Sequence, residues 1–264
     1  MTTKSPIALA HSSGLVSLVG AGPGDPELLT VRAVRALERA DVILYDRLVP
    51  STIVALAKPS SRREYVGKTR DETVCTQAAI NARLVELARR NRYVVRLKGG
   101  DPLIFGRGGE EIEALIAANI PYEIIPGITA ALGCAAYAGI PLTHRALAQQ
   151  VTLVTGHQAS AQGGPDWSTL VGRQQTVVFY MGVAKIATIE RELLIHGRAA
   201  DTPVALIENG CTPAQRVVVT SLGALTVTAL NAAIKAPALI IIGDVAAFGD
   251  ALQQLNHLAL GAAA

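Results

Sequence analysis

Three glycine-rich segments carry the strongest chemical signal in this chain. The first reads Gly20-Ala21-Gly22-Pro23-Gly24-Asp25-Pro26, directly after a run of apolar β-formers and directly before a helical pattern. Asp25 is placed to cap that helix and Pro26 to open it. In a dinucleotide-binding turn the third glycine stands where this chain has Asp25, whose charge would repel a pyrophosphate at the helix N-terminus. Asp46 nevertheless ends the next strand where a ribose-binding acid is expected, so a nicotinamide-dependent dehydrogenase stays open as an alternative. A tight strand-to-helix turn with no ligand is a further one.

The second segment runs from Lys98 to Glu111 as Lys-Gly-Gly-Asp-Pro-Leu-Ile-Phe-Gly-Arg-Gly-Gly-Glu-Glu, with five glycines between residues 99 and 109. Glycine at that density after a buried strand means that backbone approaches something closely. Asp101 is suited to accept hydrogen bonds from an amino or hydroxyl group, or simply to cap the loop. The third segment, Pro126-Gly127-Ile128-Thr129-Ala130, opens a helix of small residues that would admit an adenosine-sized ligand or, equally, close helix packing. Ligands of open α/β sheets bind beyond the carboxyl ends of the strands, which would let the first two loops face one crevice.

The elements that must position these loops follow from periodicity. Short β-rich runs at residues 15–19, 42–45, 93–97 and 122–125 alternate with helical patterns at 26–40, 77–90, 109–119 and 128–138, the mark of a parallel sheet covered by helices. Beyond Thr143 the texture changes. Strands are expected at 151–155, 176–180, 204–208, 216–220 and 238–242, helices at 184–196 and 221–233, and an exposed loop at 159–168. The expected organisation is a tail at 1–13, an α/β domain at 14–145, a second at 146–250 and a tail at 251–264.

Composition narrows the classes. Of 264 residues, 50% are hydrophobic but only 4% aromatic, as in packed α/β proteins with Ala, Val, Leu and Ile cores. The net charge of +3 is spread without clusters, which argues against nucleic acid while suiting an acidic small molecule. Cys75, Cys134 and Cys211 form no CxxC pair, so neither a disulfide framework nor a zinc site is indicated, and they read as reduced, cytoplasmic thiols. No signal peptide is apparent at the N-terminus. The uncharged stretch Ile124–Thr143 has the length of a bilayer span, but Pro126, Pro141 and its glycines point to a packed internal helix and no membrane association.

Taken together, Val19-Gly-Ala-Gly-Pro-Gly-Asp-Pro-Glu-Leu-Leu-Thr, Tyr45-Asp-Arg-Leu-Val, Tyr65-Val-Gly-Lys, Arg96-Leu-Lys-Gly-Gly-Asp-Pro, Phe105-Gly-Arg-Gly-Gly-Glu-Glu, Pro126-Gly-Ile-Thr-Ala and Gly139-Ile-Pro-Leu-Thr-His-Arg closely resemble the uroporphyrinogen-III C-methyltransferases, a group of tetrapyrrole methylases. The resemblance runs from about Gly14 to about Gly249. It implies a class III methyltransferase-like fold of two α/β domains with a cofactor cleft between them, a homodimer, and S-adenosylmethionine as methyl donor with S-adenosylhomocysteine as product. It further implies methylation of uroporphyrinogen III, a polycarboxylated tetrapyrrole, at C2 and C7 to give precorrin-2 for sirohaem and cobalamin synthesis, with no metal in the chemistry.

Carried over position by position, the resemblance implies cofactor contacts at Pro23, Gly99, Gly100, Asp101, Ile104, Thr129, Ala130, Met181 and Gly210, although Met181 also fits core filling. It implies acid/base roles for Asp46, as base, and Lys68, as proton donor, with a surface ion pair as the alternative for either. Arg47, Arg107, His144 and Arg145 lie in matched motifs and suit the substrate carboxylates. One stretch departs from the family. Where an Arg, a His and often a Pro follow the lysine, this chain reads Thr69-Arg70-Asp71-Glu72-Thr73-Val74-Cys75-Thr76-Gln77. That leaves open altered substrate affinity, inhibition, or a sister enzyme acting on another precorrin. A non-catalytic tetrapyrrole-binding protein is the remaining alternative.

Overall fold

The computed structural model describes residues 14–67, 76–90, 92–156 and 164–249. The chain divides into two compact units, Met1–Ile128 and Thr129–Ala264. This division by packing lies ahead of the change in sequence texture near residues 144–150.

The first unit is built on five parallel strands, β1 (Leu15–Gly20), β2 (Val42–Tyr45), β3 (Arg62–Tyr65), β4 (Tyr93–Lys98) and β5 (Tyr122–Ile125), in the order β3-β2-β4-β1-β5. The expected strands form where apolar β-formers run, and β3 is an addition. Its sequence, Arg-Arg-Glu-Tyr, has no apolar alternation because it is a largely exposed edge strand. Register sets Gly20 opposite Lys98, Val19 opposite Ile125 and Tyr45 opposite Leu97. Consequently Asp46 and all three glycine segments leave the sheet at its carboxyl edge.

Alternation of side chains divides the sheet into two faces. Val19, Ile43, Val95 and Leu97 pack with Ala33 and Leu37 of α1 (Val31–Arg39) and Ile53 of α2 (Ser51–Val54). Leu18, Leu44 and Val94 pack with Leu84 of α3 (Gln77–Arg89) and Leu115 of α4 (Gly108–Ala117). Each fully buried Leu or Ile contributes about 1.5–3 kcal/mol of hydrophobic stabilisation. The same alternation puts Arg96 and Lys98 on the face of Val94, toward α4. The helix expected over 26–40 is divided: a 3-10 turn occupies Pro26–Leu28 under an Asp25 cap, and α1 begins afresh after Thr30, whose hydroxyl accepts the Ala33 N–H at 3.1 Å.

The second unit carries β6 (Gln150–Thr155), β7 (Gln175–Tyr180), β8 (Pro203–Glu208), β9 (Arg216–Ser221) and β10 (Ala238–Ile242) in the order β6-β7-β10-β8-β9. β6 and β7 are parallel, and the other pairs antiparallel. Phe179, Leu206 and Ile240 from this sheet pack with Ile189 and Leu193 of α6 (Ile186–Ile195) and Leu225 of α7 (Leu225–Asn231). Arg198 is buried, and its guanidinium donates to the carbonyls of Leu170, Gln175 and Ile242, joining three segments; burial pulls its pKa down to about 10. α5 (Ala130–Tyr137) lies in the small-residue stretch. Among the described residues no helix is long and apolar enough to cross a membrane.

Candidate functional site

In the first unit the three glycine segments meet backbone to backbone. Gly22 and Gly100 exchange hydrogen bonds, the Gly22 N–H donating at 3.2 Å and the Gly100 N–H at 2.7 Å, both glycines with positive φ. A Cβ on Gly20 would fall 2.7 Å from the Gly100 carbonyl oxygen, so no side chain fits where the first and second segments cross. Asp101 closes the arrangement. Its Oδ1 accepts the Leu103 N–H at 2.8 Å within its own loop, and its Oδ2 accepts the Gly127 N–H at 3.1 Å from the third segment. The loop-capping role considered for Asp101 is therefore present, with lone pairs left over on both oxygens. Pro23 follows the crossing directly, and Ile104 is exposed on the outer part of the second loop. Arg107 ends that loop with φ 59° and pairs with Glu110 at 2.8 Å, at the surface.

Asp46 stands beside this crossing. Its Oδ1 accepts the Leu48 N–H at 3.1 Å, and Leu48 lies against Gly99. Its Oδ2 receives Arg96 Nη2 at 3.2 Å. Arg96 is only 3% exposed and also donates from Nε to Glu111 Oε1 at 3.0 Å and from Nη1 to the Leu97 carbonyl at 3.0 Å. Lys98 Nζ reaches the same Glu111 oxygen at 2.9 Å. Burial, then the neighbouring Arg96, draw the Lys98 ammonium below its ordinary pKa against the opposing pull of Glu111. Arg47 is exposed next to Asp46, and Lys68 lies outside the described residues, as does the atypical stretch from Thr69 to Cys75. The ion-pair alternative for Asp46 is thus realised with a buried partner, not a surface one. Sequence inspection passed over Arg96 and Glu111, although two charges inside the otherwise apolar Tyr-Val-Val-Arg-Leu-Lys strand are a visible signal.

In the second unit Thr129 precedes α5, and its hydroxyl lies 2.6 Å from that of Tyr180, which also accepts the Ala131 N–H at 2.8 Å. Ala130 is the first residue of α5. Tyr180 leads into Met181, which is 53% exposed and therefore not core filling. Gly210 packs on α5, where a Cβ would sit 2.8 Å from the Cys134 Cβ. The buried Cys134 thiol is held above its ordinary pKa, first by hydrogen bonding with Cys211 and then by desolvation. Thr129, Ala130, Met181 and Gly210 thus gather about α5 and the end of β7. His144 and Arg145 are exposed in a turn closed by the His144–Ala148 backbone pair, with the His144 ring 5.7 Å from that of Phe248.

Residues 15–226 match the family of Tetrapyrrole (Corrin/Porphyrin) Methylases. The siroheme synthase of Azotobacter vinelandii is 54% identical over 245 residues, 93% of this chain and 53% of that protein; the chain spans about half the length of the curated relatives it matches. Among solved structures, uroporphyrin-III C-methyltransferase from Thermus thermophilus, complexed with S-adenyl homocysteine, is 42% identical with a TM-score of 0.76, covering 88% of this chain and 93% of that one. A cobalt precorrin-4 methyltransferase is 26% identical with a TM-score of 0.78, covering 88% and 95%.

Proposed function

The chain belongs to the tetrapyrrole methylases, and from that premise we propose that it transfers methyl groups from S-adenosylmethionine to C2 and C7 of uroporphyrinogen III, giving precorrin-2 for sirohaem and cobalamin synthesis. One observation carries this best. The glycine crossing at the carboxyl edge of the first sheet is made of backbone and closed by the Asp101 carboxylate, and a second carboxylate, Asp25, caps the turn that follows the first segment. Such an arrangement repels a pyrophosphate and suits a donor carrying a sulfonium and an ammonium.

On the first unit the donor contacts are Pro23, Gly99, Gly100, Asp101 and Ile104; on the second they are Thr129, Ala130, Met181 and Gly210. When bound, the donor supplies an electrophilic methyl. The work left to the chain is positioning and proton transfer. Asp46, its carboxylate held by Leu48 N–H and Arg96, takes one proton from the alkylated macrocycle for each methyl cation added, since C2 and C7 carry no hydrogen of their own. Lys68 is the proton donor where the macrocycle's double bonds shift, each proton it gives being matched by a further one removed. Arg47, Arg107, His144 and Arg145 bind the substrate carboxylates, and the working form is a homodimer.

The test is anaerobic incubation with uroporphyrinogen III and S-adenosylmethionine, followed by mass spectrometry of the oxidised tetrapyrrole. A gain of two methyl groups is expected, and no gain overturns the assignment. A second reading, methylation of another corrin intermediate, draws on the departure between Thr69 and Thr76 and on the likeness to the cobalt precorrin-4 enzyme. It would show as donor consumption with a later precorrin alone.

A further inference from the structure

Glu111 has no part in the function proposed above, yet it is completely buried, and its contacts lead to Asp46. Taking a carboxylate out of water costs several kcal/mol unless partners compensate. Glu111 Oε1 alone accepts three donors, Arg96 Nε at 3.0 Å, Lys98 Nζ at 2.9 Å and Gln77 Nε2 at 3.2 Å, whereas buried Oε2 has no hydrogen-bond partner among the described residues. A carboxylate serving only to neutralise cations would distribute them over both oxygens. Here the donors converge on one side, and the Arg96 fork is used in a single orientation. Nε is on Glu111, Nη1 on the carbonyls of Leu97 and Leu44, and Nη2 is left pointing at Asp46 Oδ2. Rotation of the planar guanidinium away from Glu111 would take Nη2 off Asp46.

We propose that Glu111 is a positioning residue: through Arg96 it fixes the Asp46 carboxylate, and it ties the helix following the second glycine loop to the group that takes the proton. This rests on the assignment of Asp46 as base.

A double-mutant cycle of Glu111→Gln and Asp46→Asn, followed by methyl transfer to uroporphyrinogen III at saturating and limiting concentrations, tests it. Glu111→Gln should lower kcat about ten- to a hundredfold, the scale of a misplaced catalytic group, with KM for donor and tetrapyrrole changed less than about twofold. In the Asp46→Asn background it should cause no further loss, since its effect passes through Asp46. An equal loss in both backgrounds, or no loss with Asp46 intact, overturns the role of Glu111 while leaving Asp46 as base. Wild-type turnover in Asp46→Asn removes the base assignment itself, and the role of Glu111 with it. Should Glu111→Gln not fold, because two buried cations would face one carboxylate, the charge-balanced Lys98→Met/Glu111→Gln pair enters the same cycle with the same criteria.

Discussion

The hydroxyl groups of Thr129 and Tyr180 lie 2.6 Å apart, and the tyrosine oxygen also accepts the backbone N–H of Ala131 at 2.8 Å. The first turn of any helix has N–H groups without intrahelical partners, and Thr129 offers α5 no side-chain cap of its own. Tyr180, from β7, supplies it. Tyr180→Phe leaves the buried Ala131 N–H unsatisfied and should cost about 1–3 kcal/mol of unfolding free energy. Thr129→Val removes one partner of Tyr180 but keeps the cap, and should cost less. Urea unfolding of both variants decides; a larger loss in Thr129→Val would refute the capping role.

Gly127 faces only backbone. A Cβ there would lie 2.8 Å from Gly20 and press on the Gly100 carbonyl, and none of these atoms can rotate aside. Gly127→Ala should therefore destabilise by about 1–3 kcal/mol, the range of overpacked sites, and weaken binding of S-adenosylhomocysteine. Gly109, inside α4, would meet nothing within 4 Å, so Gly109→Ala should gain about 0.5–1 kcal/mol from helix propensity. Equal effects of the two substitutions on the urea midpoint would contradict the crossing.

The glycine segments and nearly every strand were legible in the sequence because backbone crowding and apolar runs leave local marks. β3 left none, since an edge strand of Arg-Arg-Glu-Tyr buries too little to need alternation. The break between Pro26–Leu28 and α1 turned on the Thr30 cap, which competes with a continuous helix only through one hydroxyl. Arg96 and Lys98 went unremarked although they are charges in an otherwise apolar strand, because their partner Glu111 lies 15 and 13 residues on. Only the facing of β4 toward α4 makes the three a cluster.

Asp41 gives the first unit an acid-sensitive joint. Its carboxylate accepts the Tyr93 N–H at 2.9 Å and pairs with Lys58 at 3.3 Å, and these, Tyr93 foremost, hold its pKa below the ordinary 3.8 in spite of partial burial. A group with a depressed folded pKa stabilises above its unfolded pKa, and that contribution is lost as pH falls through the folded value. Wild type should thus exceed Asp41→Asn in stability near neutrality, and the gap should close below pH 3.8. Urea midpoints at about pH 6 and about pH 3 measure it; a gap independent of pH would show that the carboxylate charge contributes nothing.

Met181 holds a left-handed backbone, φ 53°, and is 53% exposed, directly after the buried strand end at Tyr180. For a residue with a Cβ that conformation costs roughly 1–2 kcal/mol, and an exposed thioether returns little packing. Glycine would relieve the strain while losing about 0.5–1 kcal/mol to its freer unfolded chain. Met181→Gly should therefore leave stability unchanged or raise it by about 1 kcal/mol. If the side chain is kept for the methyl donor, the same variant should bind S-adenosylhomocysteine at least about tenfold more weakly, the size of one lost apolar contact with a ligand. Calorimetric titration and a urea midpoint on one preparation separate the two effects. Reduced stability with undiminished binding would mean that Met181 serves the fold and not the donor.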